Sequence, residues 1–575
     1  MKYVLMMLTM GAYLLTALAQ VSPEQWLKQL IDQDAAFQRQ EFYNPDRSFP
    51  STTVADEQRR LTNYKQTLAQ LQQLDVSRLS EEDQINLGLF RFVIEDRIAA
   101  IDFEAYLVPL NAEGGWFTEV MLQASGQQFA REEAARKYIQ RLHDFKAYAA
   151  EQTRLMEIGL AKGRTAPLDI LRGREDIVAP ALNTNLADNP FYKPFLQLPA
   201  SWSGALRDEL QAEARRAITQ SVIPAYRQFQ DFWIKQYIPG AVRAPGISAQ
   251  PRGRAYYEQR VRYFTTLPMT PEDVFETGVR EVARIRAEMD DVLRELRYTG
   301  SFEKFLEFLR TDPQFYAATP RDLLKEASYY AKKIDGKLPQ YFGKLPANPY
   351  GVSPVPEMLA PTYTSGRYSP GNADNHRAGF YWVNTYNLAA RPLYALPALT
   401  LHEAVPGHHL QITLAQEMDE LLPLRRQTYL SAFGEGWALY CEWLGKEMGI
   451  YETLYEQFGR LTYEMWRACR LVVDPGLHVK GWTRQQAIDF MASNTALSLH
   501  ECTTEVDRYI GWPGQAVSYK IGELKIRELR AQAEQALGAN FNLRDFHDLV
   551  LSKGSVPLFT LEKMVNDWVA ARKSK

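Results

Sequence analysis

Apolar residues recur every three or four positions along most of this chain, the spacing that covers one face of an α-helix. The clearest run is Val279, Val282, Ile285, Met289, Val292 and Leu296, with Arg and Glu between them. Ahead of it, Thr270-Pro271-Glu272-Asp273 combines a hydroxyl cap, a proline at the first helical position and an acid three residues on. Gly300 closes the run. The same periodicity around 55–75, 131–162, 204–235, 320–333 and 521–538 predicts further helices. One stretch differs. From Asn348 to about Asn387 the chain is rich in Pro, Gly, Ser, Tyr and Asn, which predicts a long surface loop. Within it, Phe380-Tyr381-Trp382-Val383-Asn384-Thr385 has the aromatic and β-branched make-up of a strand. The pattern therefore predicts a mainly α protein. It reads as a single large helical domain over 20–575 with a small sheet and room for two lobes, its most distinctive motifs lying within about 348–575.

Composition narrows the function. A chain of 575 residues with 46% hydrophobic and 23% charged residues is globular rather than fibrous or disordered. The formal charge of −3 offers no basic excess for a phosphate backbone, so nucleic acid is not an expected partner. A mean hydropathy of −0.35 argues against a polytopic membrane protein. Residues 1–19 read as a secretory signal peptide: one cation at Lys2, an apolar run from Tyr3 to Leu15, then Ala17-Leu18-Ala19 before Gln20. The expectation is an exported protein, periplasmic or secreted, with no membrane contact after cleavage. The three cysteines, Cys441, Cys469 and Cys502, contain no CxxC pair and allow one disulfide at most.

The chemistry concentrates in one place. Of eight histidines, three fall within His402-Glu403-Ala404-Val405-Pro406-Gly407-His408-His409. Two imidazoles one helical turn apart with an intervening Glu would form a zinc site with its own proton carrier. Here the fourth position after His402 is Pro406, which binds no metal. In an unbroken helix His408 would stand about 120° around the axis, and His409, almost in phase, about 10.5 Å along it. Neither suits. Proline blocks the helical ladder and glycine tolerates unusual backbone angles, so a break at Pro406-Gly407 would return His408 to the metal. His408 is the preferred second ligand and His409 the alternative. Glu435, between Gly434 and Gly436 on a helix that reads as buried, is the preferred third ligand, because an unpaired buried carboxylate is costly. Glu442, two turns on along the same face, is the alternative ligand or a supporting acid.

HEAVPGHHLQ, GFYWVNT, GEGWALYCE, VVDPGLH and PGQAVSYKIG together resemble the bacterial domain-of-unknown-function 885 family. That family resembles helical zinc peptidases with a glutamate third ligand, such as thimet oligopeptidase, angiotensin-converting enzyme and the Taq-type carboxypeptidases. In those proteins a glycine commonly precedes the second metal histidine, as Gly407 precedes His408. The resemblance implies a large helical zincin-like metallopeptidase fold with a deep central channel, one zinc ion per chain and hydrolysis of small or unfolded peptides.

On that reading His402, His408 and Glu435 hold zinc, and Glu403 is the general base. Tyr519 is the leading donor to the developing oxyanion, because related peptidases place a late tyrosine there, and His478 is the second candidate. Asn384 and Arg377 lie near the predicted strand, which could run along an extended substrate. Arg508 and Lys520, together with Arg467 and Arg470, are candidates for clamping a terminal carboxylate, which would make the protein a carboxypeptidase. The other histidines, His143, His376, His500 and His547, have no cluster partners. Two further readings stand beside the peptidase: a zinc hydrolase of a non-peptide amide, and a non-catalytic peptide-binding relative.

Overall fold

The computed structural model describes residues 22–357, 359–372 and 375–573. The signal peptide expected at 1–19 lies outside them. The protein is mainly helical with one small sheet. It divides between Arg243 and Ala244 into two compact units.

Among its described residues the first unit is helical throughout its regular elements apart from one isolated bridge, Leu110 with Gly115. Its helices include Val54–Leu71 and Glu132–Ala161, and a rod that runs from Gly204 to Gly240. The rod widens into π-turns at Ile218–Val222 and Trp233–Tyr237. Pro224 and Pro239 follow these turns closely. A proline lacks the N–H and crowds the carbonyl one turn back, and a wider turn relieves that clash without ending the rod.

The second unit carries the sequence motifs. Its elements that frame the site are numbered here: α1 (Pro271–Glu295), β1 (Tyr350–Pro354), β2 (Gly366–Ser369), β3 (Gly379–Val383), α2 (Leu396–Glu403), α3 (His408–Gln416), α4 (Ser431–Leu444), α5 (Leu454–His478) and α6 (Ser518–Leu537). Helix α1 begins as its capping box dictates, with Thr270 and Asp273 exchanging side-chain-to-backbone bonds of 3.1 and 2.9 Å. Helix α5 is buried on every side from Phe458 to His478. A helix surrounded in this way must pair its polar residues internally, which governs the fate of several charged residues below.

The stretch 348–387, expected to be mostly loop with one strand, holds the whole sheet. β3 is central, parallel to β1 and antiparallel to β2, with Arg367 opposite Trp382 and Tyr368 opposite Tyr381. Burial alternates along β3, so Tyr381 and Val383 face inward while Phe380 faces out. Cys441, Cys469 and Cys502 are all buried free thiols.

Candidate metal centre

The interrupted motif breaks one turn earlier than Pro406. Helix α2 ends at Glu403, residues Ala404–Gly407 leave the helix, and α3 restarts at His408. The Val405–Pro406 peptide bond is cis. Gly407 is required for close approach: a Cβ there would lie 1.9 Å from the His402 carbonyl oxygen and 2.5 Å from that of Leu401. Its N–H bonds Leu401 O at 3.0 Å, and Trp437 Nε1 on α4 donates to Pro406 O at 2.8 Å, tying the loop down. The result sets the His402 and His408 rings 4.8 Å apart and perpendicular.

Helix α4 brings the carboxylate. Glu435 Oε2 stands 3.4 Å from His402 Nε2 and 3.3 Å from His408 Nε2. Its flanking glycines each make room for something. A Cβ on Gly434 would strike the Tyr429 ring, whose Oη donates to Glu435 Oε1 at 3.0 Å. A Cβ on Gly436 would lie 2.5 Å from Gly522 Cα, so this glycine pair lets α4 and α6 cross backbone to backbone.

The three side chains fit a divalent metal. One ligand atom from each of His402, His408 and Glu435 lies within 4.8 Å of the other two. The two nitrogen-to-carboxylate spacings match the roughly 3.4 Å edge of a tetrahedral zinc site with bonds near 2.0–2.1 Å. The widest span exceeds that edge. His402 Nδ1 lies 2.7 Å from Glu442 Oε1, and Glu442 in turn lies 3.3 Å from Arg467 Nη2. With Nδ1–H given to Glu442, Nε2 is the ring nitrogen turned to Glu435, and a metal taking the place of its proton would be bound there. Burial disfavours a charged His402, yet Glu435, Glu442 and Glu403 around it lift its pKa to about 9. Burial likewise opposes the Glu435 carboxylate, and the two imidazoles hold its pKa well below the usual range. Buried carboxylates this close to imidazole nitrogens make a place that favours a cation.

Glu403 follows His402 at the end of α2. Its Oε2 accepts the Tyr368 N–H of β2 at 2.7 Å, which fixes the carboxylate against the sheet. Of the two candidate second ligands, His408 reaches the cluster and His409 does not. His409 points to the sheet, with Nδ1 2.9 Å from Tyr368 Oη and 3.2 Å from Thr413 Oγ1, and burial pushes its pKa down to about 4. Glu442 takes the supporting position behind His402.

Tyr519, half-buried in the first turn of α6, comes within the electrostatic reach of Glu435. Burial and Glu435 raise its pKa against the opposing Arg470 and Arg508, and the Arg470 guanidinium lies 4.2 Å over its ring. At neutral pH it is a protonated donor.

The other predicted residues serve the fold. His478 is fully buried, with Nδ1 accepting from Ile247 N–H at 3.1 Å and Nε2 facing Tyr509 O at 3.0 Å, so no ring nitrogen is left for an oxyanion. Asp474, in the same motif, accepts from Tyr257 Oη and from Gly514 N–H, holding the turn that precedes α6. Asn384 spends its amide on the carbonyls of Ala360, Tyr363 and Thr364, each at 3.0 Å, and pins a loop. Arg377 is exposed and bonds Pro370 O across a turn. Arg508 pairs with Glu505 and Gln515. Lys520 is sealed among Glu464, Glu281 and Glu523 at 2.7–3.2 Å. Neither cation is available to a substrate. Conversely, Tyr368 and Tyr429, which position Glu403 and Glu435, carry no sequence signal: one acts through its backbone, the other from outside the helix it serves.

No curated protein matches the chain. Solved structures similar to it include the following two. A "putative lipoprotein" from Colwellia psychrerythraea is 28% identical with a TM-score of 0.85, over 96% of this chain and 100% of its own. A "putative lipoprotein of unknown function" from Shewanella oneidensis, 20% identical with a TM-score of 0.72 over 95% of this chain and 100% of its own, is alike in fold. A family model described as "Bacterial protein of unknown function (DUF885)" matches residues 36–565, and the chain belongs to that family.

Proposed function

We propose that this chain is an exported zinc-dependent peptidase with a helical zincin-like fold, acting on small or unfolded peptides. The observation that carries the reading is the meeting of His402, His408 and Glu435, with Glu403 next in sequence and Glu442 behind His402. When bound, zinc supplies a Lewis acid that polarises the scissile carbonyl and lowers the pKa of water. Glu403, held at Oε2 by the Tyr368 N–H, takes a proton at Oε1 and delivers it to the departing amine. Tyr519 donates its hydroxyl hydrogen to the developing oxyanion. Tyr429 and the Glu442–Arg467 pair keep Glu435 and His402 in orientation. Export is supported by the leader pattern of residues 1–20 and by structural neighbours described as lipoproteins. Among the described residues no helix is long and apolar enough to cross a membrane.

The test is metal quantification on the purified protein, followed by chelation and re-metallation with a mixed peptide pool. About one zinc per chain and reversible loss of cleavage are expected. Zinc without peptide cleavage overturns the peptidase reading, and a panel of small amides then tests the non-peptide hydrolase.

A further inference from the structure

The cations near the proposed centre are mostly committed to internal partners. Arg467 serves Glu442, Arg470 and Arg508 share Glu505, and Lys520 is enclosed by three glutamates. Arg367 differs. It lies on β2, an edge strand, one residue before the Tyr368 N–H that binds Glu403. Backbone geometry alone therefore sets its Cα within about 5 Å of the Glu403 carboxylate. Side chains alternate along a strand: Tyr368 turns inward to His409, and Arg367 turns outward and is exposed. Its guanidinium is partly shielded from water, donates a side-chain hydrogen bond to Tyr363 and feels Glu403 and Glu435, and among the described residues no carboxylate forms an ion pair with it.

Its position gives this cation a role: the guanidinium stands beside the carboxylate of the proposed base, and none of the ion pairs around the centre uses it. An exposed guanidinium beside the general base meets a planar carboxylate through paired charge-assisted bonds. Taking the proposed hydrolase centre as its starting point, we infer that Arg367 recognises the free C-terminal carboxylate of the substrate, making this a centre for removing C-terminal residues. Water adds across the last amide: the carbonyl carbon takes the hydroxyl, the C–N bond breaks and the amine leaves with the proton.

The experiment uses the full-length protein and three tripeptide series: free acids, C-terminal amides, and amides bearing an aspartate side chain. Binding is measured by calorimetry on the metal-free protein, and kcat/KM after zinc loading, for wild type, R367Q and R367K. Free acids are expected to bind about tenfold or more tighter than amides. The ratio should fall to about one in R367Q and be partly kept in R367K, with melting temperatures unchanged because the side chain is exposed. Equal binding of acid and amide by wild type, or an unchanged ratio in R367Q, overturns the inference. Aspartate amides binding as well as free acids overturn the assignment to the terminus. An acid preference without zinc-dependent cleavage sinks the hydrolase reading and leaves Arg367's role standing. Cleavage without an acid preference does the reverse.

Discussion

Glu442 and His402 share a buried contact of 2.7 Å between Oε1 and Nδ1, and Arg467 closes on the same oxygen from the other side at 3.3 Å. A carboxylate behind a ligand imidazole fixes its tautomer and raises its basicity. Glu442→Gln keeps a hydrogen-bond acceptor but removes the charge, so zinc affinity should fall about 10- to 100-fold, read by competition with a chelator. Glu442→Ala should also cost about 3–5 kcal/mol of stability, because Arg467 is left buried without its partner.

His408 and His409 are neighbours in sequence that face different partners, the cluster and the sheet. His408→Ala should abolish stoichiometric zinc binding. His409→Ala should keep the metal and lose about 1–3 kcal/mol, since Tyr368 Oη and Thr413 Oγ1 lose a shared partner. Metal analysis and urea unfolding on both variants check the assignment. Zinc retained in His408→Ala would remove it from the ligand set.

Gly436 and Gly522 let α4 and α6 touch along their backbones. Gly436→Ala places a Cβ 2.5 Å from Gly522 Cα, where no flexible side chain can yield. The helices must separate, at a cost of about 1–3 kcal/mol. Tyr519 rides on α6, so cleavage should fall more than zinc content does. Denaturant midpoints and kcat on the same samples separate the two effects.

These side chains show why the site was more legible in sequence than the sheet. Metal ligation draws on few residue types, so His402, His408 and Glu435 stand out, and the helical break follows from what Pro and Gly do to a backbone. The strands β1 and β2 are short and lie among Pro and Gly. Packing on the motif helices, not alternation along a long run, gives them their place, as the Tyr368–His409 contact shows. Asn384 and His478 look like chemistry in sequence because they are polar and sit in distinctive motifs. In the fold they satisfy backbone groups of buried loops, a need that no spacing reveals. Lys520 is fixed by Glu281, 239 positions away, and only tertiary structure joins them.

His547 allows a test of burial by pH. It is buried, with Nε2 2.8 Å from Tyr440 Oη and Nδ1 2.9 Å from Tyr341 O, and burial pushes its pKa down to about 3. The unfolded chain protonates an ordinary histidine near 6.5 while the folded one stays neutral, so the stability it contributes is lost as pH falls. The stability difference between wild type and His547→Gln should therefore shrink by about 2 kcal/mol between pH 7 and pH 5. Paired urea titrations at each pH measure it, and a constant difference would show that His547 titrates normally in the fold.

Glu403 separates metal binding from turnover. It is buried, follows a ligand in sequence and meets the Tyr368 N–H at 2.7 Å through Oε2, so its carboxylate is held without being a ligand of the three-residue cluster. Glu403→Gln conserves shape and still offers an oxygen to Tyr368 N–H, so zinc content and melting temperature should stay near wild type. What it loses is a base able to accept a proton, and kcat should drop by about 10²–10⁴. Tyr519→Phe removes one oxyanion donor and should reduce kcat by about 10²–10³ with little change in KM. If Glu403→Gln left hydrolysis intact while peptide binding persisted, proton transfer would have to be assigned to another group.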